Sequence, residues 1–249
     1  MTASEIRQEA RRCLTGKWGK GALATLIFGV ITYIISFVLN LVPMVGSIAA
    51  SIISIPLSFG FTVVMMCKLK RNEDFSYLDF FKAGFDKFVK VWQTTLWIFV
   101  KMLAPIVVAI IGAVIMASGI TMSAAGSSGS VLIILGIIVY LVGIIWTIPR
   151  AYSYRLALYI VNDNPNMLAK EAVEKSAEIM NGHRWAYFWL QCTFIGWAIL
   201  ACLTLGIGML WLIPYIQVST VAFYDNLIGN KKDESDTDET VAENPIQEN

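Results

Sequence analysis

Three long stretches of this 249-residue sequence contain no Asp, Glu, Lys or Arg: 21–67, 102–149 and 185–224. Charged residues make up only 15% of the chain, while 57% is hydrophobic and the mean hydropathy is +0.65. A water-soluble domain of this size has no core large enough to bury three such runs, which excludes a soluble globule. Histidine occurs once, at His183, and the four cysteines (Cys13, Cys67, Cys192, Cys202) show no CxxC spacing. That scarcity argues against a metal centre, a histidine proton relay and a disulfide framework, and no cofactor is expected. Net charge is close to balance at +1, which gives no footprint for nucleic acid. The Gly-Ser run at 126–130 has no histidine or acid nearby to activate a serine, so hydrolase chemistry is not expected and the chain reads as non-catalytic.

What is present is a pattern. Each uncharged run is about twice the roughly 20 residues that a helix needs to cross a bilayer. Each therefore reads as a hairpin that crosses and returns. Breaks fall at the Val-Pro-Met-Val-Gly of 42–46, at the polar 119–130 and at the Thr-Leu-Gly-Ile-Gly of 204–208. The expectation is an all-α polytopic membrane protein with six transmembrane helices as three hairpins, near 21–42, 46–67, 98–118, 131–149, 186–204 and 208–226. The first run exceeds the 7–15 residues typical of a signal-peptide core, so it reads as a retained span. All 19 Lys and Arg then lie on the side that holds both termini, and the positive-inside rule makes that side cytoplasmic. Lys101 is either the cytoplasmic edge of span three or a deeper residue whose ammonium snorkels back.

The charged blocks carry helical periodicity of their own. Ile6, Ala10 and Leu14 line one side of 4–15, and Leu78, Phe81, Phe85, Phe88 and Trp92 recur at helical steps in 75–92. Ser76 and Asp79 have capping-box spacing. In 164–181, Asn164 and Pro165 form a start signal and Asn181 with Gly182 a stop, with Ala169, Ala172, Val173, Ser176, Ile179 and Met180 on one face. These three segments are expected to be amphipathic helices at the cytoplasmic interface. Residues 1–228 read as a single membrane domain, followed by a disordered acidic tail over 229–249. A glycine, nearby basic residues and a tryptophan precede each hairpin (Gly16 to Trp18, Gly84 to Trp92, Gly182 to Trp185), which is either a threefold duplication or chance similarity.

The stretch 148–227 carries Ile148-Pro149, Tyr152-Ser153-Tyr154, Asp163-Asn164-Pro165, Ser176 with Met180, and Gly182-His183-Arg184-Trp185. It continues with Phe194-Ile195-Gly196-Trp197, the Leu-Thr-Leu-Gly-Ile-Gly of 203–208, Pro214-Tyr215 and Ala222-Phe223-Tyr224. With Leu14 to Trp18 and Phe80 to Phe85, this string resembles the domain of unknown function 975 family of bacterial integral membrane proteins. Arg150 stands where that family usually has glycine. The resemblance implies a helical, multi-pass protein of the bacterial plasma membrane and no particular reaction or ligand.

Two sets of residues are candidates for function. Lys82, Lys87, Lys90, Arg150, Arg155, His183, Arg184 and Trp185 form an aromatic and cationic belt, which either anchors the protein or holds anionic lipid headgroups. Asn40, Gln191 and Gln217 are amides within spans, which either bond neighbouring helices or line a polar path. The leading expectation is an accessory or membrane-organising protein whose partners are membrane lipids, a second copy of itself or another membrane protein. The alternative is a small transporter or permease-like subunit.

Overall fold

The computed structural model describes residues 2–42 and 45–243, with side chains as far as Gly229. The chain order is α1 (Ala3–Leu14), α2 (Trp18–Asn40), α3 (Val45–Phe59), a π-helical segment (Gly60–Met65), α4 (Met66–Arg71), α5 (Asp79–Asp86) and α6 (Phe88–Ala124). It continues with α7 (Ser130–Ser153), α8 (Ala157–Asp163), α9 (Ala169–Ile179), α10 (Arg184–Leu203) and α11 (Met209–Glu243), and no strand occurs among the described residues. Pro43 and Met44, in the first expected break, lie outside the described residues, as does the tail beyond Glu243.

Five helical columns are long and apolar enough to cross a membrane: Trp18–Asn40, Val45–Arg71, Phe88–Ala124, Ser130–Asp163 and Arg184–Leu203. The expected sixth span, in α11, is not among them. Its apolar run is diluted by Tyr215, Gln217, Ser219, Thr220 and Asp225, and much of its apolar surface (Val218, Val221, Ala222, Phe223) is buried within the protein. Beyond that stretch α11 continues to Glu243, through residues the sequence reads as a disordered tail. A packed helix is already nucleated, so extending it adds a hydrogen bond per residue without a new nucleus.

The chain forms two compact units. One is Met1–Val91 with Val161–Pro165 and Trp185–Asn249; the other is Trp92–Ile160 with Asn166–Arg184.

In the first unit α1 is held by a complete capping box. Glu5 N donates to Thr2 Oγ1 at 3.4 Å, and Thr2 N donates to Glu5 Oε2 at 2.9 Å. Its apolar face is the expected one, Ile6, Ala10 and Leu14, all buried against α11 and α4. Helix α5 is shorter than the amphipathic segment read over 75–92, because the chain breaks at Lys87 and α6 restarts at Phe88. Its inward residues are Phe80 and Gly84, whereas Leu78, Phe81 and Phe85 stay exposed. Backbone approach explains this choice. A Cβ on Gly84 would drive into the Pro56 carbonyl, and one on Gly60 into the Phe80 carbonyl, so two glycines let α5 lie flat on α3 and the π-helical segment. Phe28 of α2 seals the contact, stacked on Phe61 at 4.2 Å and edge-on to Phe80 at 5.4 Å. Of the small residues Ala50, Ser54, Ser58 and Thr62, which recur every fourth position along α3 and the π-helical segment, Ser58 is exposed and the others are half-buried; Ser54 Oγ donates to Ser51 O and Thr62 Oγ1 to Ser58 O.

In the second unit α6 and α7 run antiparallel along a glycine seam. Cβ atoms on Gly112, Gly119, Gly136 and Gly143 would meet Tyr140, Ile133, Met116 and Ala109 across the pair. Glycines seven residues apart on each helix thus bring the two backbones together, as small residues do where no hydrophobic effect drives helix association. The face of α9 is the one read from sequence: Ala169, Ala172, Val173, Ser176, Ile179 and Met180 are all buried. Ser176 Oγ donates to Ser153 O at 2.8 Å and accepts from Leu156 N at 3.2 Å, which ties α9 to the end of α7. The start of α9 is later than Asn164 and Pro165. Glu171 Oε2 accepts from Leu168 N at 3.3 Å, while 161–165 packs into the first unit.

Candidate functional site

Charges that follow the first and third uncharged runs meet in the first unit. Arg71, the last residue of α4, forks onto Asp163 (Nη1 to Oδ1 3.1 Å, Nη2 to Oδ2 2.8 Å), and its Nη2 also donates to Asp225 Oδ1 at 3.0 Å. Lys70 lies between Asp225 Oδ2 at 2.9 Å and Glu9 Oε1 at 3.0 Å. Four separate segments are thereby clamped: α1, α4, 161–165 and α11. Sequence reading missed this cluster, since no spacing rule joins positions 154 residues apart. A usable signal existed, because charges that terminate apolar runs share one depth and must find partners there. Beside the clamp, Asp79 at the start of α5 accepts from Lys68 Nζ at 3.0 Å and from Ser76 N at 3.1 Å. The Lys68 ammonium holds the Asp79 carboxyl below its ordinary range, with burial opposing and the Ser76 N–H helping. That is one half of the capping box read at Ser76.

The expected cationic belt is divided between the two units. In the first, Lys87 donates to Asn162 O and Oδ1, both at 3.2 Å, and Lys90 donates to the Pro165 carbonyl. Burial pushes the Lys87 ammonium down, with Asp163 opposing and Lys90 adding to the shift. Lys82 and Trp185 are exposed. In the second unit Arg150 donates to Lys101 O at 3.0 Å and stacks on Trp146 with its carbon 5.0 Å from the ring centre. Arg155 and His183 are exposed there, and Arg184 Nε is buried without a hydrogen-bond partner among the described residues. Lys101 itself pairs with Glu174 Oε1 at 3.6 Å. At 37 residues α6 is about 55 Å long. That is more than the roughly 20 residues a crossing needs, and the apolar column that includes Lys101 runs from Phe88 to Ala124.

Asn40 is exposed and donates to Ser36 O of its own helix at 2.7 Å. Gln191 is half-buried, and Gln217 keeps a buried Oε1 without a hydrogen-bond partner among the described residues.

A residue outside both sets has the more distinctive setting. Arg11 lies at a cavity of about 470 Å³ walled by Trp18, Trp197, Leu200, Trp211 and Tyr215. Arg11 Nε donates to Tyr215 Oη at 2.9 Å, and the guanidinium carbon is 5.6 Å from the Tyr215 ring centre. Tyr215 is itself fixed edge-on by Trp18 at 5.8 Å and Phe194 at 5.1 Å. No carboxylate forms an ion pair with Arg11 among the described residues. The result is an oriented cation lining an apolar, aromatic cavity.

All-helical architecture and five apolar columns define a membrane protein, with no group of metal-binding side chains among the described residues. The chain belongs to the family described as protein of unknown function DUF975, which matches residues 1–231. No curated protein and no solved structure matches it.

Proposed function

We propose that the protein acts without catalysis in a bacterial plasma membrane, both termini in the cytoplasm, as an accessory, membrane-organising protein that holds anionic lipid at the inner leaflet. The observation that supports this is the Arg11 cavity. An arginine fixed through Nε keeps a planar pair of Nη donors for a phosphate, and the neighbouring Trp and Leu surfaces suit an acyl chain. One well-placed cation is worth about 1 kcal/mol toward an anionic lipid. Arg11→Gln is therefore expected to lower retention of anionic phospholipid by about 5-fold in native mass spectrometry, leaving zwitterionic lipid unchanged. Equal retention by variant and wild type would remove the basis of this reading.

The transporter alternative has one observation in its favour, the buried Gln217 Oε1, which has no hydrogen-bond partner among the described residues. An orphaned buried acceptor costs about 1–3 kcal/mol, and exchanging its amide for an apolar group of similar size relieves that cost. If Gln217 only packs, Gln217→Leu raises thermal stability in detergent by about 1 kcal/mol. A loss of stability would mean that the amide holds a polar partner, as a transport path requires.

A further inference from the structure

We infer that α10 and α11 form a helical hairpin lying in the plane of the charged-side membrane interface, with its tryptophan-rich face on lipid, instead of crossing the bilayer. The inference rests on the reading that the basic side is one membrane face, and it names the third hairpin as the surface that meets that leaflet.

The two helices pair along their length. Tyr187 meets Phe223 with ring centres 5.3 Å apart, Phe194 meets Tyr215 at 5.1 Å, and a Cβ on Gly208 would stand 3.0 Å from that of Ala201. Whatever orientation α11 has, α10 shares.

Both ends of the packed part of α11 touch the charged ends of other helices. Near its start, Pro214 packs on Gly21, where a Cβ would stand 3.2 Å from Pro214 Cβ and 3.6 Å from Leu69 Cδ2. Gly21 follows Lys17 and Lys20 in the first turns of α2, and Leu69 precedes Lys70. Eleven residues later Asp225 pairs with Lys70 and Arg71, the last two residues of α4. Those eleven residues span about 16 Å of helix. Were α11 upright beside α2 and α4, Pro214 would lie about 16 Å deeper than Asp225 and would draw Lys17 and Lys20 toward hydrocarbon, an expensive place for charge. Laid across the helix ends, α11 makes both contacts at one depth. Burial agrees, since the buried residues of α2 are Gly21, Ala22, Ala24 and Thr25, all in its first turns.

Tryptophan placement supports the same orientation. Trp185, Trp189, Trp197 and Trp211 are 71%, 62%, 48% and 44% exposed, and they run the length of the pair. Tryptophan favours the headgroup level. From Trp185 to Trp197 an upright α10 would rise about 18 Å and carry Trp197 toward the middle of the hydrocarbon. An interfacial hairpin keeps all four at the preferred level, three on α10 and Trp211 on α11. This leaves α2, the α3–α4 column, α6 and α7 as the crossing helices, and it sets the Arg11 cavity, walled by this hairpin, at headgroup height.

The turn at 204–208 decides the matter, and Leu205 within it is 95% exposed. In the full chain, Leu205→Cys, Asp74→Cys (the loop after α4) and Ser127→Cys (the α6–α7 turn) are labelled separately with a membrane-impermeant maleimide. Intact cells and inside-out vesicles are compared, with site-resolved mass spectrometry to distinguish native thiols. The thiol at 205 is expected to label from the same side as that at 74 and opposite to 127. Labelling of 205 together with 127 would overturn the in-plane hairpin. Cys202, exposed in the native chain, provides the same readout without substitution. The orientation reading fails separately, if 127 labels only in inside-out vesicles.

Discussion

Gly112→Leu is expected to unfold the second unit at a temperature well below that of the wild type, with a loss of about 3 kcal/mol or more. A Cβ at this position runs into the Tyr140 backbone, which belongs to the facing helix and has no rotamer to change. The same holds for Gly136 against Met116, so Gly136→Leu should reproduce the effect, and the two together should add little once the seam is open. Helices in lipid gain no hydrophobic benefit from association, so losing close contact along the seam removes most of what holds α6 to α7. Gly29→Leu is the control, because a Cβ there meets nothing within 4 Å. Thermal unfolding in detergent should leave Gly29→Leu near wild type and lower both seam variants. Parallel behaviour of all three would mean that the seam is not the determinant of packing.

Arg71→Ala is expected to have the second largest effect, about 2 kcal/mol. It removes the cation shared by Asp163 and Asp225 and leaves two carboxylates close together, with Lys70 on Asp225 and Lys87 near Asp163 to offset them in part. Breaking a fully buried pair costs about 3–5 kcal/mol; this arginine is about a third exposed, which places the effect lower. Charge is the mechanism, so the cost should be recoverable. Adding Asp163→Asn and Asp225→Asn to Arg71→Ala should restore about half of the lost stability, whereas either Asn substitution in wild type is destabilising. Chemical unfolding of the four variants checks this, and a triple variant no better than Arg71→Ala would show that Arg71 acts through packing of its stem.

How much of this was legible beforehand differs by element. The buried faces of α1 and α9 were readable residue by residue, because short polar helices place their few apolar side chains at a period that only one face satisfies. Gly182 and the 204–208 turn were readable as stops, and the backbone there has positive φ at Gly182, Leu205 and Gly206. In α5 periodicity marks the aromatic stripe of Leu78, Phe81 and Phe85, which is exposed, but not the protein-facing side, which is set by Gly84 and Phe80, where a carbonyl from another segment comes close. Within α6 and α7 periodicity carries little information, since every face is apolar and only the glycine spacing marks the seam. The Arg11 cavity lay outside both candidate sets because Arg11 and Tyr215 are 204 residues apart and neither belongs to a recognisable motif.

By itself, the sequence determined that this is a helical membrane protein, where its charges begin and end, and which faces of its polar helices are buried. Those properties follow from one-dimensional quantities, run length and periodicity, that any fold of the chain must respect. Tertiary structure alone decided which charges pair, which helix lies across the ends of others, and where a cation is held by a tyrosine beside an apolar cavity. These depend on contacts between residues far apart in the chain, set by backbone approach at glycines and by the shared depth of charged helix ends, and neither quantity is local to any segment.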